Sequence, residues 1–319
     1  MSEARITGAA SDPTIGMLPR PRAAAPPRQR SAALRKAGQV WSVLRRHPSA
    51  LVGLVVILLF IAAAILAPLI APYGPFEVAY GAGRTIKRLS PPTGANWFGT
   101  TNQGMDVWSQ LLWGSRVALT VGLLSALGSV VLGTLIGLFA GYFGGWMDEV
   151  AMRATDVAFG IPFLPFAMVV ISISSPSLGL IILLVIFFLW RTTARVIRAQ
   201  VLTLKTRPFV WAARAAGASE LKILFRHIAP NVLPLSFLYV AIGVQAGVML
   251  EAALSFLGFG DPSASSWGTM LNDAFRAGAM RTAWWWVLPP GLALSIFVMS
   301  IFVLSRAYEE ILNPRLRSL

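Results

Sequence analysis

Long runs of apolar residues without a charge set the pattern of this chain. The first covers residues 50–71, in a stretch with no Asp, Glu, Lys or Arg between His47 and Glu77. The second covers 117–142, between Arg116 and Asp148, and the third covers 157–190, between Asp156 and Arg191. A fourth runs over 231–250 up to Glu251, and the last over 284–305 with Pro289-Pro290 inside it. A helix rises 1.5 Å per residue, so about 20 apolar residues cross the roughly 30 Å of bilayer hydrocarbon. The third run would make a helix of about 51 Å, too long for one straight span. Ser174-Ser175-Pro176-Ser177 is a turn signal in its middle, so it is read as a hairpin of two helices. The pattern predicts an all-α polytopic membrane protein with six transmembrane helices.

The first run follows about fifty residues and exceeds a signal-peptide h-region, so it is expected to be a retained span. The basic Pro/Ala/Arg stretch before it reads as a disordered tail. The segmentation expected is a tail over 1–47, a first span over 48–72, an outer loop over 73–116, a five-helix core over 117–307 and a tail over 308–319. Within the outer loop, Asp106 to Arg116 has the character of a short amphipathic helix. Gly133, Gly137 and Gly141 repeat every four residues, as do Gly243 and Gly247, which allows close helix contact.

Charge orients the chain. Lys and Arg number 9 in residues 1–50, 1 in 143–156, 8 in 191–228 and 3 in 306–319, against 4 in 72–116 and 2 in 258–283. The positive-inside rule then puts both termini in the cytoplasm. Trp284-Trp285-Trp286 falls at the outer end of the last span, as an interfacial aromatic belt would. Arg191, Arg195 and Arg198 share one helix face at the inner boundary and read as cations reaching for lipid headgroups.

Composition removes other classes. Charged residues make up 13% of the chain and hydrophobic residues 56%, which excludes an ordinary soluble enzyme. The net charge of +14 then reports cytoplasmic loops rather than nucleic acid. The chain has 0 Cys and 2 His, so thiolate and His-based metal sites are not expected. No phosphate-binding Gly-x-x-x-x-Gly-Lys-Ser/Thr loop or Ser- or zinc-hydrolase motif occurs. Glu251 is the one acid embedded in a long apolar context. It is a candidate for the translocation path, with a hydrogen-bonded structural carboxylate as the other reading.

Within the basic inner loop 200–230, Pro208 to His227 reads as a pair of short helices. Ala212, Ala213, Ala215 and Ala216 favour helix, Gly217 breaks it, and Ser219 can cap a second helix over Glu220 to His227. Leu221, Leu224, Phe225 and Ile228 would form its apolar face, and Pro230 would end it. Two readings fit this unit: a docking surface, or an amphipathic linker lying on the membrane.

These residues resemble a known family. Trp211-Ala212-Ala213-Arg214-Ala215-Ala216-Gly217-Ala218-Ser219-Glu220-Leu221, followed by Phe225-Arg226-His227-Ile228-Ala229-Pro230-Asn231, is similar to the Glu-Ala-Ala loop of binding-protein-dependent ABC importer permeases. Phe98-Gly99-Thr100 with Gly104, Asp106-Val107, Leu111-Leu112 and Gly114 resembles the outer-loop motif of the dipeptide/oligopeptide/nickel branch. Glu251-Ala252-Ala253-Leu254-Ser255-Phe256-Leu257-Gly258-Phe259-Gly260, then Ser266-Trp267-Gly268-Thr269-Met270-Leu271, resembles its C-type permease. Arg45-Arg46-His47-Pro48 is similar to the family's entry to the first span. Trp211 stands where the family has Glu, Thr101 where Asp is usual and Met105 where Arg is usual.

The resemblance implies a type I ABC importer permease fold in a bacterial inner membrane. The chain would be a translocation subunit, not an enzyme. Its implied partners are a second homologous permease, two ATP-binding subunits that carry ATP and Mg, a soluble substrate-binding protein and membrane lipid, with no nucleic acid. No cofactor or metal is expected on this chain itself. Ala212, Ala213, Arg214, Ala216, Gly217 and Leu221 would contact the ATPase as a coupling helix. Di- or oligopeptides are the default solute, with nickel, opines and oligosaccharides as look-alikes. The competing reading is an ion-coupled secondary transporter, which would call for intramembrane acids or broken helices.

Overall fold

The structure, a computed structural model, describes residues 48–81 and 85–312. The readings of the basic tail, of Arg45-Arg46-His47 and of residues 313–319 lie outside them. Helix α1 is Pro48–Ile70, α2 is Val107–Phe143, α3 is Gly145–Gly160 and α4 is Phe163–Ser172. Then come α5, Leu178–Leu204, α6, Pro208–Ala215, and α7, Glu220–Ile223. A π-helical turn, Leu224–Ile228, leads into α8, Ala229–Phe256, and α9, Trp267–Arg276, and α10, Trp284–Leu312, complete the chain. Among the described residues five helical runs are long and apolar enough to cross a membrane, and six if the bent pair α3–α4 is one span.

Three elements differ from the sequence reading. Helix α2 begins at Val107, so the expected short helix before Arg116 is the first part of one 37-residue helix. Asp106 caps it by accepting from Ser109 N at 2.8 Å, and no Pro interrupts it before Gly144 and Gly145, both at positive φ. The third apolar run is not a hairpin of two full spans. It breaks at Ile161-Pro162, where extended backbone turns the chain by 84° between α3 and α4. The ten residues of α4 rise only about 15 Å, half the hydrocarbon thickness. The turn at 173–177 does lie where the sequence places it, with Ser177 capping α5 through Leu180 N at 3.2 Å. The third difference is at Pro230, which does not end a helix. The π turn, closed by Ala229 N donating to Leu224 O, carries the helical run into α8, where Pro230 occupies a first-turn position that needs no donor.

Helix α2 is the axis of the bundle and packs along α5 and α8. Its glycines make that possible. A Cβ on Gly133, Gly137 or Gly141 would lie 2.5, 2.6 or 2.9 Å from the carbonyl oxygens of Trp190, Ala194 and Arg198 of α5. On α8 the approach is looser: a Cβ on Gly243 would lie 3.0 Å from Ala126 Cβ, and one on Gly247 would lie 3.4 Å from Gly122 Cα, an ordinary contact. Both small-residue faces are therefore used inside the chain. Between α2 and α8 the hydroxyls of Thr134 and Ser236 share a 3.0 Å hydrogen bond. Helix α1 is peripheral: it packs on α10 and α2 and leaves Val52, Leu59, Ile65 and Leu69 exposed.

The segment 71–106 is organised at one end of the bundle. Asp106 ties it together, accepting from Asn96 Nδ2 at 2.9 Å and from the Ser109 hydroxyl at 2.7 Å. Thr101 accepts from Met105 N at 3.1 Å through its hydroxyl, so a neutral pair spans the turn where the family resemblance has Asp and Arg. Trp285 packs on this segment, donating to Thr100 O at 3.3 Å, and Trp286 is buried in the core. Of the tryptophan triplet only Trp284, 58% exposed, is placed as a belt residue would be.

Candidate coupling site

The opposite, basic end of the bundle carries α3, α6, α7 and the π turn. The sequence suggests lipid headgroups for the arginines of α5, but they grip α3 instead. Arg191 donates to Ala158 O and stacks 3.6 Å from the centre of the Phe188 ring. Arg195 reaches Asp156 at 2.6 Å, and Arg198 makes a two-pronged pair with Asp148. Lys205 Nζ donates to Gly141 O at 3.0 Å, closing the end of α2. Helix α3 is thereby held across the end of α2 and α5.

On this platform α6 and α7 form a tight corner. Pro208 opens α6, and Gly217 at φ +78° closes it: Gly217 N donates to Arg214 O at 3.0 Å and Ala218 N to Ala213 O at 3.1 Å. Nothing lies within 4 Å of a Cβ built on Gly217, so the backbone angle alone selects glycine there. Ser219 precedes α7 without the side-chain cap expected of it, and an acid follows in the first turn. That acid, Glu220, accepts from Arg214 Nε and Nη2, both at 3.1 Å, and from the Tyr142 hydroxyl of α2. The Glu220 carboxylate, and behind it the Tyr142 hydroxyl, raise the Arg214 guanidinium above its ordinary value.

The corner is seated on the bundle. Val210, Ile223, Leu224 and Ile228 are buried against Leu138 and Tyr142 of α2 and Ile197 and Val201 of α5. The apolar face expected from the sequence is split: Leu224 and Ile228 point inward, while Leu221 and Phe225 are 55% and 49% exposed. Trp211 is 58% exposed, with the Arg214 guanidinium 5.6 Å from its ring centre. Ala212, Arg214, Ala216, Gly217 and Leu221 are exposed on this one corner and Ala213 is half-buried, so the six residues are brought together.

Glu251 lies elsewhere, near the far end of α8. It is 2% exposed and accepts from the Ser255 hydroxyl at 2.6 Å, with Ser266, the cap of α9, as a further partner. The sequence reading missed Tyr142, Asp148, Asp156 and Glu220. The one legible sign was that acids and arginines bound the same apolar runs.

Residues 133–318 match the family described as binding-protein-dependent transport system inner membrane component. Residues 37–92 match the N-terminal TM domain of oligopeptide transport permease C. The dipeptide transport system permease protein DppC of Alkalihalophilus pseudofirmus is 30% identical over 303 residues, which are 95% of this chain and 97% of the relative. Its counterpart in Bacillus subtilis is 31% identical, covering 87% and 85%. A putative peptide permease protein of Brucella suis is 35% identical, covering 85% and 88%. A solved structure of the MetNI methionine ABC transporter in inward facing conformations is similar at a TM-score of 0.49 and 20% identity, over 63% of this chain and 94% of that one. With a family match over residues 133–318 and relatives aligned along most of both chains, this multi-pass protein belongs to the binding-protein-dependent transport system inner membrane components, the permease subunits of ABC importers.

Proposed function

We propose that this chain is a peptide-importing permease whose α6–α7 corner is the coupling helix for a separate ATPase. One observation carries the reading. The corner is built rigidly on α2 and α5 yet presents Trp211, Leu221 and Phe225 to the outside, a shape that needs a partner. Two ATP-binding subunits with ATP and Mg, a second homologous permease and a soluble binding protein complete the assembly, with both termini of this chain in the cytoplasm. Peptides enter as the solute because the relatives named above are dipeptide and peptide permeases.

The mechanism follows from the connections. Closure of the ATPases on nucleotide pulls the corner. The pull passes through Glu220 to Tyr142 and through the buried Val210, Ile223 and Leu224 to the ends of α2 and α5. Because α2 is locked to α5 by backbone-level glycine contacts, the two tilt as one body and not as independent helices. Access alternates when nucleotide biases one of two packings. Trp211, in place of the usual carboxylate, makes this docking contact apolar.

The test uses the absence of native Cys. A single Cys at Ala213 or Leu221, in membranes holding the whole complex, is expected to cross-link to a nucleotide-binding subunit, and a Cys at Leu59 on α1 is not. Cross-linking that is equal at all three sites, or co-purification of the chain without any ATPase, would overturn the reading.

A further inference from the structure

At the end of the bundle opposite the coupling corner is a cavity of about 280 Å³, bounded by α2, the start of α5 and the segments around Pro75 and Ser263 to Ser265. Its walls are hydrogen-bonded in place. On one side Gln110 Nε2 donates to Pro75 O at 3.1 Å and Trp113 Nε1 to Tyr73 O at 3.3 Å. On the other, Asp261 accepts from Leu178 N at 2.9 Å, from Ser263 N at 2.8 Å and from the Ser263 hydroxyl at 2.6 Å. The Asp261 carboxylate is thus occupied by wall donors, and so is the Ser263 proton.

The lining is largely apolar, with Val117, Leu178 and Ala264 beside the Trp113 ring, and Arg116, Thr120 and Ser265 are the cationic and hydroxylic groups set into it. The Arg116 guanidinium lies 5.1 Å from the centre of that ring and forms no ion pair with a carboxylate among the described residues. An arginine oriented by an aromatic face, with its planar fork unpaired, matches a carboxylate in two-pronged geometry. Hydroxyl donors at its sides suit the remaining lone pairs of such an anion. The volume falls just below the range of small-ligand pockets, about 300–1,000 Å³, which suits one or two amino-acid residues and not a folded chain.

We propose that Arg116, with Thr120 and Ser265, forms a subsite that binds the carboxylate of the transported solute, the C-terminal carboxylate in the case of a peptide. This deepens the importer reading and rests on it. The subsite lies at this end of the bundle, directly ahead of the charge-free stretch of α2 that begins at Val117.

The experiment is uptake by the whole complex, reconstituted in vesicles with its own binding protein. The probes are radiolabelled dialanine and its C-terminal amide. Wild type is expected to take up dialanine in preference to the amide. Arg116→Gln should lower dialanine uptake by about tenfold or more, chiefly through KM, as loss of a charge-assisted contact implies. It should also shrink the preference over the amide, and Arg116→Lys should retain part of both. The same binding protein serves every variant, so its own selectivity cancels from the comparison. If Arg116→Gln does not assemble with its partners, Thr120→Val and Ser265→Ala are measured instead, with smaller losses in the same direction. Unchanged KM and preference in variants that assemble would overturn the subsite and leave the importer reading standing. A wild-type complex that takes up neither probe would overturn the peptide reading, and the peptide-carboxylate subsite with it.

Discussion

Gly217→Val is the sharpest perturbation of the proposed coupling. Gly217 sits at φ +78°, with no neighbour within 4 Å of a built Cβ, so a new side chain meets no steric obstacle beyond its own backbone. The penalty is conformational. An L-residue in the left-handed region costs roughly 1–2 kcal/mol, and a β-branched one is a true outlier there. The corner can escape only by giving up the bonds from Gly217 N to Arg214 O and from Ala218 N to Ala213 O, which fix the angle between α6 and α7. One to two kcal/mol shifts such an equilibrium by about 5- to 30-fold. In reconstituted vesicles, Gly217→Val is expected to lower solute uptake by that order while ATP hydrolysis continues, so more ATP is consumed per solute moved. Asn tolerates the left-handed region and should preserve most of the coupling, with Ala between the two. The reasoning fails if Val couples as well as glycine. It also fails if Asn is as damaging as Val, because the effect would then lie in the side chain and not in φ.

Three other outcomes follow from the geometry. Gly133→Leu drives a side chain into Trp190 O, 2.5 Å from the Cβ position, and overpacking of this kind costs about 1–3 kcal/mol; a thermal-stability assay of the detergent-solubilised chain should show a clear fall, and unchanged stability would mean that α2 and α5 are not in such close contact. Asp148→Ala and Arg198→Ala each remove one half of the clamp on α3, so the double variant should be no worse than the singles and the cycle should give a coupling energy of about 0.5–3 kcal/mol; strict additivity would refute the clamp. Burial works to raise the Asp261 carboxyl, but the hydrogen bonds from Ser263 and Leu178 N outweigh it and hold it below its ordinary value. Its contribution is therefore complete above the unfolded value of about 3.9 and is lost as pH falls through the lower folded value. Amide-exchange protection at Leu178 should persist from neutral pH to about pH 5 and drop only in stronger acid, and an Asp261→Asn variant should lack that step.

The spans were legible because bilayer partition is nearly a sum over residues: a charge-free run of sufficient length is apolar whatever packs against it. The corner was legible for a related reason. Gly217 at a helix end and Pro208 at a helix start act through their own backbones, so spacing alone places them. The glycine repeats likewise announced close approach, though not the helix on the other side. What tertiary structure decided was the choice of partner. Arg198 and Asp148 are 50 residues apart, and nothing local distinguishes an arginine that reaches lipid from one that clamps a crossing helix. The tryptophan triplet shows the same limit, since three adjacent indoles go to the exposed outer surface, to the 71–106 segment and to the core according to what surrounds each. Pro162 and Pro230 complete the contrast. The first sits at an 84° break and the second inside a continuous helical run, because the π turn before Pro230 accommodates its missing donor and no such turn precedes Pro162. Local solvation and backbone preference act within a few residues, so the sequence by itself determined the long apolar crossings and the turns at 173–177 and Gly217, but not the break at Ile161-Pro162 or the continuation through Pro230. Pairing across the bundle depends on which surfaces meet, and only the folded packing of α2, α5 and α8 decided that.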